Sequence, residues 1–256
     1  MVIQLKLMLV QELGLCLKNN SSQRYARFSY VEMSSSKSVI SKIEFLFVIT
    51  CKSEDICGEN FFMIALVDYG LEKNHPLIKL LSELKIDFKA THSESEILRA
   101  DKVILPNTGS ISSAIRNLHL LNLFTILRLC NKPMLGISLG MHLMTAYTKG
   151  GNLSCLGIFP GTVEKIDREK KSESRFNLSE VILVKVNKLF KNIQSEEKFF
   201  FDHLHYLPIE QCISAVAGHI PIFSAALEKD NFFGVQFLPE KSGEAGSQFL
   251  KNFIEL

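Results

Sequence analysis

From residue 63 onward, short apolar runs alternate with stretches whose apolar positions recur at helical spacing. "MIALVD" (63–68), "KVILP" (102–106) and "PMLGI" (133–137) are brief apolar blocks bounded by turn residues, the signature of buried strands. Between and after them the spacing predicts helices near 75–85, 111–129 and 139–148. Strands alternating with helices read as βαβ units around a mostly parallel central sheet flanked by helices. The second half is richer in strand patterns: "GTVEKID", "VILVKVN", "KFFFDH", "CISAVAG", "IFSAALE" and "FFGVQF". A closing helix is predicted near 243–253, with Ser242 as its N-cap. Before residue 63 the pattern fades, and 19–38 is polar and serine-rich. Residues 1–62 are therefore expected to form a weakly structured extension, with Met63 a candidate start of the native chain. Residues 63–256 make one complete α/β domain.

Charge and composition narrow the partners rather than the fold. The chain of 256 residues carries 29 basic and 27 acidic side chains, a formal charge of +2, with no sustained basic stripe. That balance gives no reason to expect nucleic acid or an anionic membrane as partner. Six cysteines show neither CxxC pairs nor zinc-like spacing, which points to a reducing, cytoplasmic setting and mostly buried thiols. The apolar run at 45–50 is too short to span a bilayer, and the first twenty residues lack a signal-peptide pattern. No cofactor or metal motif is present in the sequence.

The chemistry concentrates in "KPMLGISLGMHLM" (132–144), where a strand runs into Gly-Ile-Ser-Leu-Gly and then a helix. A small residue between glycines at such a turn is how α/β enzymes expose a nucleophile, here Ser138. A serine hydroxyl needs a base, and the base an orienting acid. His142, His203, His205 and His219, with Asp202, Asp230 and Glu240, supply candidates, but no spacing selects a triad. At this point an idle hydroxyl and a nucleophile stand about even.

The surrounding motifs carry a family resemblance. "DYG" after the first strand, "LPNTG", "KPMLGISLGM", "LGIFPGTV" and "FGVQFLPEKSGEAGSQFLKNF" occur in an order and at separations that resemble class I (triad-type) glutamine amidotransferases. Within that class they resemble the glutaminase subunit of imidazole glycerol phosphate synthase, over essentially all of 63–256. The resemblance implies a flavodoxin-like α/β fold and glutamine hydrolysis by cysteine, histidine and glutamate. It also implies delivery of the ammonia to a heterodimer partner, a cyclase-type subunit with a (β/α)8-barrel fold.

Carried over by position, the resemblance puts Ser138 at the nucleophile position, where the family has cysteine. Leu238 takes the base position, where the family has histidine, and Glu240 alone keeps its type. The oxyanion strand reads Pro106-Asn107-Thr108-Gly109 in place of "PGVG". Leu139 follows the nucleophile position, and His142 replaces a glutamine expected to help hold the substrate. Serine is not appreciably ionised at neutral pH and Leu238 removes its base, so glutamine hydrolysis is expected to be absent or severely impaired.

Three functions follow. The leading one is a degenerate amidotransferase subunit docked on a cyclase-type barrel, in histidine biosynthesis or a related sugar amination. The others are a serine hydrolase using His203 or His205 as base, and a non-catalytic binding module. His203 and His205 share one face of a predicted strand, but without a third ligand a metal role is disfavoured. "REKKSES" (168–174) is expected to be a solvated loop.

Overall fold

The computed structural model describes residues 18–20, 23–31, 42–48, 64–166, 178–194, 197–209, 211–218 and 221–256. His219 and the run 168–174 lie outside the described residues. The chain divides into two compact units, 1–60 and 61–256.

In the first unit, β1 (Lys18–Asn20), β2 (Gln23–Val31) and β3 (Lys42–Val48) form an antiparallel sheet in that order. β2 and β3 pair from Tyr25 opposite Val48 to Val31 opposite Lys42. This is more regular structure than the sequence pattern suggests. "RYARFSYV" and "KIEFLFV" are rich in aromatic and β-branched residues, which favour extended backbone even without clean alternation.

The second unit is built on an eight-stranded sheet of order β12-β15-β16-β17-β7-β6-β4-β5. Its parallel half contains β4 (Ile64–Val67), β5 (Phe88–Thr91), β6 (Lys102–Leu105), β7 (Met134–Ile137) and β17 (Phe232–Val235). The other half is antiparallel: β16 (Phe223–Lys229), β15 (Ile213–Ala217) and the edge strand β12 (Ile182–Leu183). The sheet is therefore mixed, parallel through the half that the βα alternation predicts.

Helices α1 (Pro76–Glu83), α2 (Glu94–Arg99), α3 (Ile111–Leu120), α4 (Leu123–Arg128), α5 (Leu139–Met144) and α6 (Gly243–Ile254) flank it. Alternate residues of the central strands feed two cores, which explains their unbroken apolar runs. Ile64, Leu66, Ile104, Leu135 and Ile137 pack with Leu77 and Leu81 of α1 and Phe249 and Phe253 of α6. Ala65, Val67, Val103, Leu105 and Met134 join Ala114, Leu118, Leu127 and Met141 on the opposite face.

Several boundaries differ from the periodicity. The helix expected over 111–129 is two, broken at Asn122, whose φ of 56° places it in the left-handed region that asparagine tolerates. The helix expected to run to 148 stops at Met144, because Thr145 is extended and Tyr147–Thr148 forms a short strand, β8. β8 pairs with β9 (Leu153–Ser154) and with β10 (Thr162–Lys165), which also pairs with β14 (His205–Tyr206). Of "VILVKVN" only Ile182 and Leu183 form strand. β11 (Leu178–Glu180) pairs instead with β13 (Lys198–Phe200). Ser242 stands at the start of α6 without capping it. Its hydroxyl donates to the Leu238 carbonyl at 2.7 Å and accepts from the Phe200 N–H at 2.9 Å.

Candidate active site

The candidate residues lie in loops that follow the C-terminal ends of the parallel strands, the edge where open α/β sheets place their sites. His75 follows β4, Asn107 to Gly109 follow β6, Ser138 and Leu139 follow β7, and Gln236 to Glu240 follow β17.

The turn after β7 has the geometry its glycines predict. Ser138 sits at φ 50°, ψ −103°, a sparsely populated conformation for a residue with a Cβ. Its N–H donates to the Val235 carbonyl at 2.6 Å, which joins the turn to the end of β17. A Cβ at Gly140 would lie 2.0 Å from the Leu105 carbonyl oxygen, and one at Gly136 would lie 2.7 Å from the Gly140 carbonyl oxygen. Strand and helix approach so closely here that only glycine fits.

The chemistry on this turn is another matter. Ser138 is only 4% exposed, and its Oγ accepts from the Gln236 side-chain amide at 3.4 Å. The Gln236 carbonyl oxygen in turn meets His142 Nε2 at 2.7 Å. Because that oxygen accepts, His142 carries its proton on Nε2. Burial pushes the His142 pKa down to about 3, outweighing the support of the Gln236 bond, and nearby His203 and His205 lower it further. His142 is therefore a neutral donor, separated from Ser138 by an amide. An amide accepts no proton at neutral pH, so this chain orders Ser138 without activating it.

Leu238 is 2% exposed and packs in the core that contains Phe199, Phe201, Phe237 and Phe249. Its N–H donates to the Phe200 carbonyl at 2.8 Å. Two residues on, Glu240 has a buried Oε2 with no hydrogen-bond partner. Burial raises its pKa, against the stabilising backbone hydrogen bond and the nearby Lys241. The carboxyl has no imidazole from position 238 to orient.

On the opposite side of the turn, the Asn107 side-chain carbonyl accepts the N–H of Leu139 at 3.3 Å. The Asn107 main-chain carbonyl accepts from His75 Nε2 at 2.8 Å, while His75 Nδ1 accepts the Leu77 N–H at 3.2 Å and caps α1. Thr108 Oγ1 donates to the Gly70 carbonyl at 2.9 Å, Tyr69 OH donates to the Pro106 carbonyl, and Gly109 turns at φ 68° into Ser110, which caps α3.

Of the histidines offered as bases, His203 donates from Nδ1 to the His205 carbonyl at 2.8 Å. His203 and His205 do not share a strand as expected, because β13 ends at Phe200 and His203 precedes β14, in which His205 lies. Among the described residues no group of three or more His, Cys, Asp or Glu could hold a metal ion. No described helix is long and apolar enough to cross a membrane. Cys130, Cys155 and Cys212 are free thiols, and burial pushes Cys155 up to about 11.

His75 and Gln236 escape the sequence reading. His75 is visible there only as a histidine before a helix-starting proline. Gln236 reads as one polar residue in an apolar strand. Their site contacts span 32 and 98 residues of chain, a separation no local pattern encodes.

A strained small residue after a parallel strand, braced by glycines and faced by the loops after β6 and β17, is the nucleophile-turn architecture, and residues 65–256 match the family model for class I glutamine amidotransferases. The chain belongs to that family. It is similar to imidazole glycerol phosphate synthase subunit HisH of Bacteroides fragilis, at 34% identity over 75% of this chain and 99% of that protein. The HisH subunit of Pectobacterium atrosepticum is 39% identical over 64% of this chain and 84% of its own length. Among solved structures, a glutamine amidotransferase from Thermotoga maritima shares the fold, with a TM-score of 0.51 at 15% identity over 77% of this chain and 82% of that one.

Proposed function

We propose that this protein is a HisH-like amidotransferase subunit that has lost glutamine hydrolysis. It docks on a cyclase-type (β/α)8 barrel and contributes by binding and by shaping the path of ammonia supplied from solution. The reaction served is the amination step of histidine biosynthesis or of a related sugar pathway. One observation carries the loss of hydrolysis: a buried leucine stands at the base position while the Ser138 hydroxyl is held by an amide. Docking is supported by the HisH relatives, which are themselves named as subunits.

The test is glutamate release from glutamine by the unmodified protein with a matched barrel subunit. The expected rate lies at least about a thousandfold below an ordinary enzymatic turnover of roughly 1–10 per second. Turnover within about tenfold of that range would mean that another group serves Ser138 as base. Stable co-purification with the barrel is expected, and its absence would favour a free-standing binding module. Residues 1–62 lie outside this working domain in our reading, so their deletion is expected to leave both the melting temperature and barrel binding unchanged.

A further inference from the structure

The turn after β7 offers a backbone donor whose occupant is a side chain of the same protein. In a nucleophile turn the N–H of the residue following the nucleophile donates to the oxygen that becomes negatively charged when a carbonyl is attacked. Here that residue is Leu139, and its N–H is directed at Asn107 Oδ1, 3.3 Å away. The group taking the bond is a primary amide carbonyl, the same group that a side-chain amide substrate presents.

We propose that Asn107 is a built-in occupant of the oxyanion donor, a specificity residue that closes the Leu139 N–H to substrate carbonyls from within. The assignment rests on reading Ser138 and Leu139 as the nucleophile turn. Asn107 is held in place from two directions. His75 Nε2 donates to its main-chain oxygen at 2.8 Å, and His75 is itself fixed by accepting the Leu77 N–H through Nδ1. On the other side, Thr108 Oγ1 bonds the Gly70 carbonyl at 2.9 Å, and Tyr69 OH bonds the carbonyl of Pro106. Both neighbours of Asn107 are thus tied to the loop after β4, and the side chain between them faces the turn. A residue without a side chain at 107 leaves the donor open. An acceptor-bearing residue of this length fills it.

The first measurement is residue-resolved amide hydrogen exchange in the full chain, comparing the unmodified protein with N107G, N107L and N107D. Leu139 is expected to exchange at least about fivefold faster in N107G and N107L, which lack the acceptor, since a hydrogen bond is worth about 1 kcal/mol. N107D keeps an acceptor and is expected to retain the protection. Equal Leu139 exchange in N107G and the unmodified protein would overturn the proposal.

The second measurement is glutamate release by S138C/L238H with and without N107G, each with the barrel subunit. Removing the occupant is expected to raise kcat at least about tenfold, the scale on which oxyanion donors act being about 10²–10³. If the double variant turns over and N107G adds nothing although Leu139 exchange accelerates, the freed donor is not an oxyanion donor and the proposal fails. If exchange accelerates while double and triple variants are both silent, occupancy of the donor by Asn107 stands and it is the amidotransferase reading of the site that fails.

Discussion

The turn after β7 and the loop after β17 meet at the same site but keep different things. At the turn, the backbone of a nucleophile elbow is intact: Ser138 is strained, and Gly136 and Gly140 fit where no other residue does. At the loop, "LPEK" carries a proline and a glutamate, and the leucine before them packs in the phenylalanine core. The glycines answer to packing as well as chemistry, because the helix crosses Leu105 at a distance that tolerates no Cβ. A base at position 238 would answer to chemistry alone. Leu238 suits the fold there, since burying a leucine in an aromatic core is worth about 1.5–3 kcal/mol. On the proposed reading, such a site loses its reactive groups first and its turn geometry last.

The widest test of that contrast is to rebuild the chemistry on the retained turn. S138C alone is expected to give little glutamate release, because the thiol still lacks a base and an acid for the leaving ammonia. L238H alone leaves a serine and is expected to give little as well. S138C/L238H restores a histidine that Glu240 can orient, so its rate is expected to exceed the product of the single effects by about a hundredfold or more. A double variant no better than that product would show that the loop after β17 no longer aims position 238 at Ser138.

Breaking the turn instead is expected to cost stability. In G140A the new methyl lies 2.0 Å from the Leu105 carbonyl oxygen, and neither α5 nor β6 has a flexible side chain to yield there. A loss of about 3 kcal/mol or more is expected, seen as a lowered denaturant midpoint or as insoluble expression. L238A removes a buried leucine from the other region and is expected to cost about 2–5 kcal/mol by cavity formation. If G140A proves neutral, the close approach of strand and helix is not what keeps the glycine.

How much of this the sequence shows depends on the range of the interaction. β4, β6, β7 and the helices after them follow from local apolar spacing, as does Ser138 at a strand-to-helix turn. β5 is missed because "FKAT" buries only Thr91 fully and shows no apolar run. The break at Asn122 lies within a continuous helical pattern, and its only local mark is an asparagine. "VILVKVN" reads as a long strand, yet Asn187 turns the chain into a short 3₁₀ helix by accepting the Leu189 N–H. At the proposed site, the family resemblance points to Ser138, Leu238, Glu240 and Asn107. What each side chain bonds to is fixed by partners on other strands, so Gln236 against Ser138 and His75 against Asn107 emerge only in three dimensions.

The polar chain under the turn makes a smaller, pH-dependent difference. His142 titrates near 3 when folded and near 6.5 when free, so in acid the unfolded chain binds a proton that the native one refuses. Its contribution is complete above pH 6.5 and is lost as pH falls toward 3, at no more than about 1.4 kcal/mol per unit. Glu240 works in the opposite sense, its raised pKa favouring the fold below the unfolded value and losing that contribution as pH rises. Comparison of H142Q with the unmodified protein separates the two. Between about pH 7 and 5 the unmodified protein is expected to lose about 2 kcal/mol more than H142Q, measured by urea denaturation at each pH. Parallel pH profiles would mean that His142 titrates normally and is not sealed beneath Gln236.

The smallest effect belongs to Ser138 itself, and it separates strain from chemistry within one residue. At φ 50°, ψ −103° a side chain costs about 1–3 kcal/mol, which a working nucleophile justifies by its position and an idle hydroxyl does not. S138G relieves that strain. It also gives up the 3.4 Å bond from Gln236 and adds freedom to the unfolded chain, each opposing the gain by up to about 1 kcal/mol. S138A gives up the same bond and keeps the strain. S138G is therefore expected to be more stable than S138A by about 1 kcal/mol, and close to the unmodified protein, in equilibrium denaturation. If S138A is the more stable of the two, the turn is relaxed in solution. Its conformation then reflects the packing of Gly136 and Gly140 alone, not a strained position held open for a reactive side chain.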